Sequence, residues 1–313
     1  MNLLTSVAEY NDMENPLRHT ARLLIQLHRL IRAGEGESSE AEAIRDELDI
    51  PWREFDARTM RLVRGLSADL RSIERPRGVS ESADPLSAAE FVASAARNDW
   101  RLSLEVLRNN EPSLPTRLVA FCRGLCWSHL GQPEAAIEFF READRIEPLR
   151  DGERAWLLLA YLLADEMEVA LAGASAAATS SSSSTLLFIA AEIFSLQADS
   201  DGLSAAEATR RLAIEVGQRA LIASQDNGDT LPDFLRPAAL MQLSLNYDAI
   251  GNREAARDAC ERALEIAPTD EYALLLLGWL SSEKAPKDGR PAFRRSVSRA
   301  IAKRSLPSVS AAA

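Results

Sequence analysis

Residues 117–150 read RLVAFCRGLCWSHLGQPEAAIEFFREADRIEPLR, and within them Gly124, Trp127, Gly131, Ala136, Phe140, Ala143 and Pro148 stand three, four, five, four, three and five residues apart. The same spacing returns about 120 residues later at Ser244, Tyr247, Gly251, Ala256, Cys260, Ala263 and Pro268. Steps of three and four keep side chains on one face of a helix. A glycine between two such runs permits a tight turn, and a proline stops the second run because it cannot continue a helix without losing a hydrogen bond. The pattern therefore predicts two short helices folded against each other and repeated along the chain. Each has about twelve residues, too few to be stable alone, so burial between neighbours must hold them.

Working outward, an advance of 34 residues from the first unit puts Tyr161 at the Trp127 position and Ala170, Ala174 and Ala177 at those of Ala136, Phe140 and Ala143. This unit ends in the serine run Ser180 to Ser184, which favours a loop. Leu186 to Leu196 then predicts a first helix and Ser204 to Ser224 a second, read as one unit whose extra length lies in two loops, at Ala198 to Gly202 and Gln225 to Pro232. Upstream, Asn98, Asp99 and Trp100 followed by Leu104, Leu107 and Pro115 suggest the second half of a degenerate unit. Downstream, Tyr272 to Ser282 predicts a first helix and Pro291 to about Lys303 a basic second one.

Residues 1–75 lack the repeat. Leu17, Ala21, Leu24, Leu27, Leu30 and Ile31 mark an amphipathic helix ended near Gly34 and Gly36. A second runs through Ala43, Ile44 and Leu48 before Pro51, and a third, after Pro51, carries Phe55, Met60, Leu62, Val63, Leu66 and Leu70. Each has an apolar stripe to bury, so the three read as a small bundle, with a linker at 76–85.

The paired motif resembles the tetratricopeptide repeat. The resemblance implies an all-α fold: a right-handed superhelical array of helical hairpins preceded by the bundle, with five to six units at about 86–116, 117–150, 151–184, 185–236, 237–270 and 271–304; the neutral residues at 305–313 read as a disordered end. It also implies that Gly124, Trp127, Gly131, Ala136, Phe140, Ala143, Pro148, Tyr161, Ala170, Tyr247, Gly251, Ala256, Ala263 and Pro268 serve packing, while first-helix residues offset from them line a concave face that binds a protein. Carried onto this chain, the latter are Phe121, Leu125 and His129; Ala155, Leu159 and Leu163; Met241, Leu245 and Ala249; and Tyr272, Leu275 and Trp279. The lysine and asparagine that clamp chaperone-tail carboxylates in one subgroup are replaced by Phe121 with Leu125 and by Met241 with Leu245, so that ligand is not expected. A mostly apolar face has two readings: a groove for an amphipathic helix or apolar peptide, or a surface filled by the chain's own helices, and self-association would cover it equally well.

Composition supports packed helices. Hydrophobic residues make up 46% and aromatics only 6%, with alanine and leucine dominant and few strand-forming runs. Met1 to Glu14 lacks the basic start and apolar stretch of a signal peptide, the longest apolar run, Ala155 to Ala164, is far below membrane-spanning length, and three irregularly spaced cysteines do not form a disulfide framework. A soluble cytoplasmic protein is the expectation. Charge is uneven: of a net −11, residues 283–313 contribute +6 from eight basic and two acidic groups, leaving −17 on the rest. An acidic body repels nucleic acid and anionic membranes.

The basic helix at 290–304 carries the stripe Phe293, Val297, Ala300 and Ile301 among Arg294, Arg295, Arg299 and Lys303. It reads as the end cap of the array, or alternatively as a tether to nucleic acid or anionic membrane. Cys122, Cys126 and His129 share one helix side, but a closed structural metal site needs a fourth ligand, and small buried side chains explain the cysteines. No phosphate-cradling glycine loop, nucleophile elbow or zinc-protease motif occurs. The expectation is a non-enzymatic scaffold without cofactor or metal.

Overall fold

A computed structural model describes residues 16–49, 55–73, 85–200, 203–226, 231 and 235–282. The linker expected at 76–85 (apart from Pro85), the basic helix at 290–304 and the end at 305–313 lie outside them. The described residues form fourteen α-helices and one 3-10 turn, without a strand. Neighbouring helices pack in sequence, as an all-helical repeat array requires. Two compact units divide the chain, residues 1–148 and 149–313.

The first unit begins with α1 (Pro16–Arg32), α2 (Ser39–Asp49) and α3 (Ala57–Ile73). α1 buries Ala21, Leu24, Ile25 and His28, so its inner face includes a histidine while Ile31, expected on the stripe, is exposed. Gly34, with φ +80°, ends α1. Ser38 caps α2 through Ala41 N–H, and Asp56 caps α3 through Thr59 N–H at 2.7 Å. The backbone bonds of Thr59 hold the Asp56 carboxyl below its usual range. The cap places Phe55 before the third helix, whereas the sequence reading put it inside.

Next come the hairpins α4 (Pro85–Ala96) with α5 (Trp100–Asn110), and α6 (Thr116–His129) with α7 (Pro133–Ile146). The three amino-terminal helices do not stand apart from these: α1 and α3 both pack against α7. Arg18 and Arg22 donate to Glu134, each at 2.9 Å, and Arg29 donates to Glu138 at 2.6 Å.

The second unit contains α8 (Asp151–Leu163) with α9 (Met167–Ser180), α10 (Ser184–Ser200) with α11 (Leu203–Asp226), α12 (Arg236–Ala249) with α13 (Arg253–Ile266), and α14 (Glu271–Ser281). At α10 and α11 the structure corrects the sequence reading. Its helices are 17 and 24 residues long against 13 or 14 in the hairpins at α6 to α9, and Ala198 to Ser200 belong to α10 instead of a loop, while most of the second expected loop, at 225–232, lies outside the described residues. The physical reason is burial: α10 is interior on most sides, from Leu186 through Phe194 to Ala198, and helix is the state that satisfies its backbone there.

One turn recurs in both units. Gly131 and Gly251 have φ of +74° and +84°, and the N–H three residues past each first helix, that of Gln132 or Asn252, bonds back to the carbonyl of Trp127 or Tyr247, each at 2.9 Å. Asn98 (φ +55°) and Asp165 (φ +61°) make the same turn, with Asp99 N–H bonded to Ser94 O and Glu166 N–H to Tyr161 O. Asparagine and aspartate tolerate the left-handed region, which is how two hairpins turn tightly without the glycine that marks the others.

Candidate interaction surface

The first helix of each hairpin has two kinds of residue to place. In α6, Gly124, Trp127, Leu125 and Phe121 are all interior. A Cβ at Gly124 would fall 2.5 Å from the Phe140 ring of α7, so the glycine makes room for an aromatic side chain. At the equivalent joint of α12 and α13 the pair is Ser244 and Cys260, and the Ser244 hydroxyl donates to Ala256 O at 2.7 Å. Glycine with phenylalanine and serine with cysteine fill one joint in two ways. Gly124→Ala is therefore expected to cost about 1–3 kcal/mol by overpacking. Chemical denaturation of Gly124→Ala, Phe140→Leu and the double variant tests this: the double variant recovers part of the loss if the Phe140 ring is the obstacle.

Trp127 sits on a charged cluster built from three helices of the first unit. Asp69 of α3 is almost fully buried and accepts from Arg108 Nε at 2.9 Å and Nη2 at 2.7 Å, while Arg123 of α6 lies 3.4 Å away. Trp127 Nε1 donates to the same carboxylate at 3.3 Å. Arg123 also donates to Ser72 at 2.7 Å and to Glu111 at 3.0 Å. Burial pushes the Arg123 guanidinium down against the support of Asp69, with Arg108 adding repulsion. For the less buried Arg108, the hydrogen bond and charge of Asp69 outweigh burial and raise it.

Tyr247, at the position of Trp127 in the other clear unit, is only half-buried. It packs on the cluster of Ile214, Leu243 and Ala259, and its hydroxyl accepts from Gln218 at 2.6 Å. Tyr161, Ala136, Ala143, Ala170, Ala256 and Ala263 are buried, while Pro148 and Pro268 are exposed two residues beyond α7 and α13.

Of the residues carried over as a binding face, Phe121, Leu125, Ala155, Leu159, Met241 and Leu245 are buried in the chain itself, and Leu163 and Ala249 are half-buried. The Phe121 ring meets Phe140 with centroids 5.4 Å apart. His129 stacks flat on Trp100, with centroids 3.7 Å apart and planes within 5°. Only on α14 does the set reach solvent: Leu275 is 60% exposed beside Leu274 at 50%, with Tyr272 and Trp279 half-buried. The opposite side of α14 buries Ala273, Leu276 and Leu280, and Asp270 caps the helix through the N–H groups of Tyr272 and Ala273.

The three cysteines are buried thiols, none of them in a disulfide. Burial raises the Cys126 thiol well above its usual value and the Cys260 thiol to about 11, so both are protonated, poor nucleophiles at neutral pH. Among the described residues no group of three His, Cys, Asp or Glu side chains could hold a metal ion, and no helix is long and apolar enough to cross a membrane. Sequence reasoning missed Asp69, Arg108 and Arg123. The available signal was a carboxylate on the stripe Val63, Leu66 and Leu70, and an arginine inside the apolar run of α6.

A tetratricopeptide repeat family model matches residues 237–270, which are α12 and α13 with their flanks. No curated protein matches the chain.

Proposed function

We propose that this chain is a non-enzymatic scaffold that docks a protein partner on its repeat hairpins, with Tyr272, Leu275 and Trp279 of α14 as the contact set. A tetratricopeptide repeat supports protein binding in general, and the observation that carries the assignment to α14 is the exposure of Leu274 and Leu275. Two adjacent leucines in water are costly unless covered, at about 25 cal/mol per Å² of apolar surface. The partner that fits is an amphipathic segment: an apolar face for Leu275 and Trp279, and a basic flank for Asp270 and Glu271, which start the helix on an acidic body. The interior candidates Phe121, Leu125, Leu159, Met241 and Leu245 serve packing in this reading.

Leu275→Glu tests it, because an exposed position takes a charge without unfolding the chain. The expected result is partner binding weakened about tenfold or more, with the thermal midpoint of the free chain unchanged. A partner captured equally by wild type and variant overturns α14 as the docking helix. A change in oligomeric state alone, without a heterologous partner, identifies the face as a self-association surface and overturns the reading as a docking site for another protein.

A further inference from the structure

In the first unit, α1 and α7 meet through charge. Between Pro16 and Arg32, α1 carries four arginines and no acidic residue, in a chain of net charge −11. Arg18, Arg22 and Arg29 fall within about 40° of one another around the helix axis, so they form one row. Arg18 and Arg22 both donate to Glu134 Oε1 at 2.9 Å, and Arg29 donates to Glu138 Oε1 through Nε at 3.1 Å and Nη2 at 2.6 Å. The carboxylates are the covered partners. Side chains of Glu134 and Glu138 are 12% and 7% exposed, against 28%, 37% and 47% for the three arginines. The second oxygen of Glu134 is buried without a hydrogen-bond partner, so α1 leaves acceptor capacity unused.

α1 and α3 are held by different means. Asp69 fixes α3 through a buried pair with Arg123, whereas the cations of α1 stay wet, and ion pairs of that kind are weak and screened by salt. Beside its arginine row α1 buries Ala21, Leu24 and Ile25, and it packs on α2 and α3 as well as on α7.

We propose that Glu134 and Glu138 form a docking seat for an arginine-bearing amphipathic helix of a partner protein, and that α1 occupies this seat as a detachable, autoinhibitory segment. Charge sets the class of partner. Two carboxylates this covered need cations beside them, since a buried carboxylate without one is costly. A guanidinium presents forked N–H donors, which suit a carboxylate better than an ammonium does. The partner helix therefore brings arginines at the spacing of Arg18, Arg22 and Arg29, and an apolar flank equivalent to Ala21, Leu24 and Ile25. The seat lies in the first unit and stands whether or not α14 docks a protein.

The test uses the full chain carrying Arg18→Glu, Arg22→Glu and Arg29→Glu together, with a labelled peptide of residues 16–32 as the arginine helix. Hydrogen exchange in 16–32 is expected to be at least about tenfold faster than in wild type, with α6 and α7 still protected. The peptide is expected to bind this chain at least about tenfold more tightly than wild type, whose seat is filled. Adding Glu134→Gln and Glu138→Gln removes that gain. Unchanged exchange in α1, loss of protection in α6 and α7 along with α1, or peptide binding indifferent to the two glutamines overturns the proposal. If the charge-reversed chain does not fold, wild type decides: exchange in 16–32 accelerates selectively between about 0.05 M and about 1 M salt, and the absence of selective acceleration refutes the detachable segment. A wild-type chain that dimerises by exchanging α1 between copies makes a second copy the occupant, and overturns the seat as a site for another protein.

Discussion

Replacing Asp69 with alanine is expected to destabilise the chain by about 3–5 kcal/mol, the cost of leaving a buried charge without its partner. Of the charges left behind, that of Arg123 is 3% exposed and keeps only the partly exposed Glu111 as an ion-pair partner once Asp69, which supports it against burial, is gone. Arg108 contributes less, since about a third of its side chain meets water and solvent screens it. The comparison that isolates this cause is a triple replacement, Asp69→Leu with Arg108→Met and Arg123→Met. The triple variant leaves no buried guanidinium behind and strips only Glu111, 20% exposed, of Arg123, so denaturant unfolding is expected to find it more stable than Asp69→Ala alone. Equal losses in the two would mean that packing around α3, and not charge, ties it to α5 and α6.

Truncating Trp127 to alanine is expected to cost about 3–5 kcal/mol, the range for a large buried aromatic. Its indole is 1% exposed and its N–H reaches Asp69, so the substitution opens a cavity and removes a donor from the charged cluster together. Trp127→Phe keeps most of the packing and loses only the hydrogen bond, worth about 1 kcal/mol. Tyr247→Ala is expected to cost less than Trp127→Ala, because that ring is half-buried and its hydroxyl partner Gln218 is exposed. Denaturant unfolding with hydrogen exchange across α3, α5 and α6 measures the ranking. A larger loss at Tyr247 than at Trp127 contradicts it.

The two substitutions share a partner, so their effects will not add. Residues in one hydrogen-bond network couple by about 0.5–3 kcal/mol. An Asp69→Ala, Trp127→Ala double variant is therefore expected to lose less than the sum of the two single losses.

The hairpin units were legible where glycine announced the turn, at Gly131 and Gly251, and harder to see where Asn98 and Asp165 adopt the same left-handed backbone. Those two residue types occur in many loops, so a single sequence gives them little weight. The buried carboxyls were legible only in part. Glu192 stands alone in the run Leu186 to Leu196 and Asp69 sits on an apolar stripe, which flags each as unusual. Neither signal names a partner, since the residues that meet Asp69, namely Arg108 and Arg123, stand far along the chain.

Sequence by itself determined the helical hairpins and, outside α10 and α11, their approximate length, because periodicity, turn residues and proline act within a few residues. It also determined that first-helix positions such as Phe121, Leu125, Met241 and Leu245 are apolar. Only tertiary structure decided that those four are interior while Leu275 meets water, and that α1 and α3 fold onto α7 in place of standing alone. Exposure depends on which neighbour covers a face, and neighbours are set by contacts between segments far apart in the chain. A local pattern of three and four describes each face identically, whether a helix or solvent lies against it.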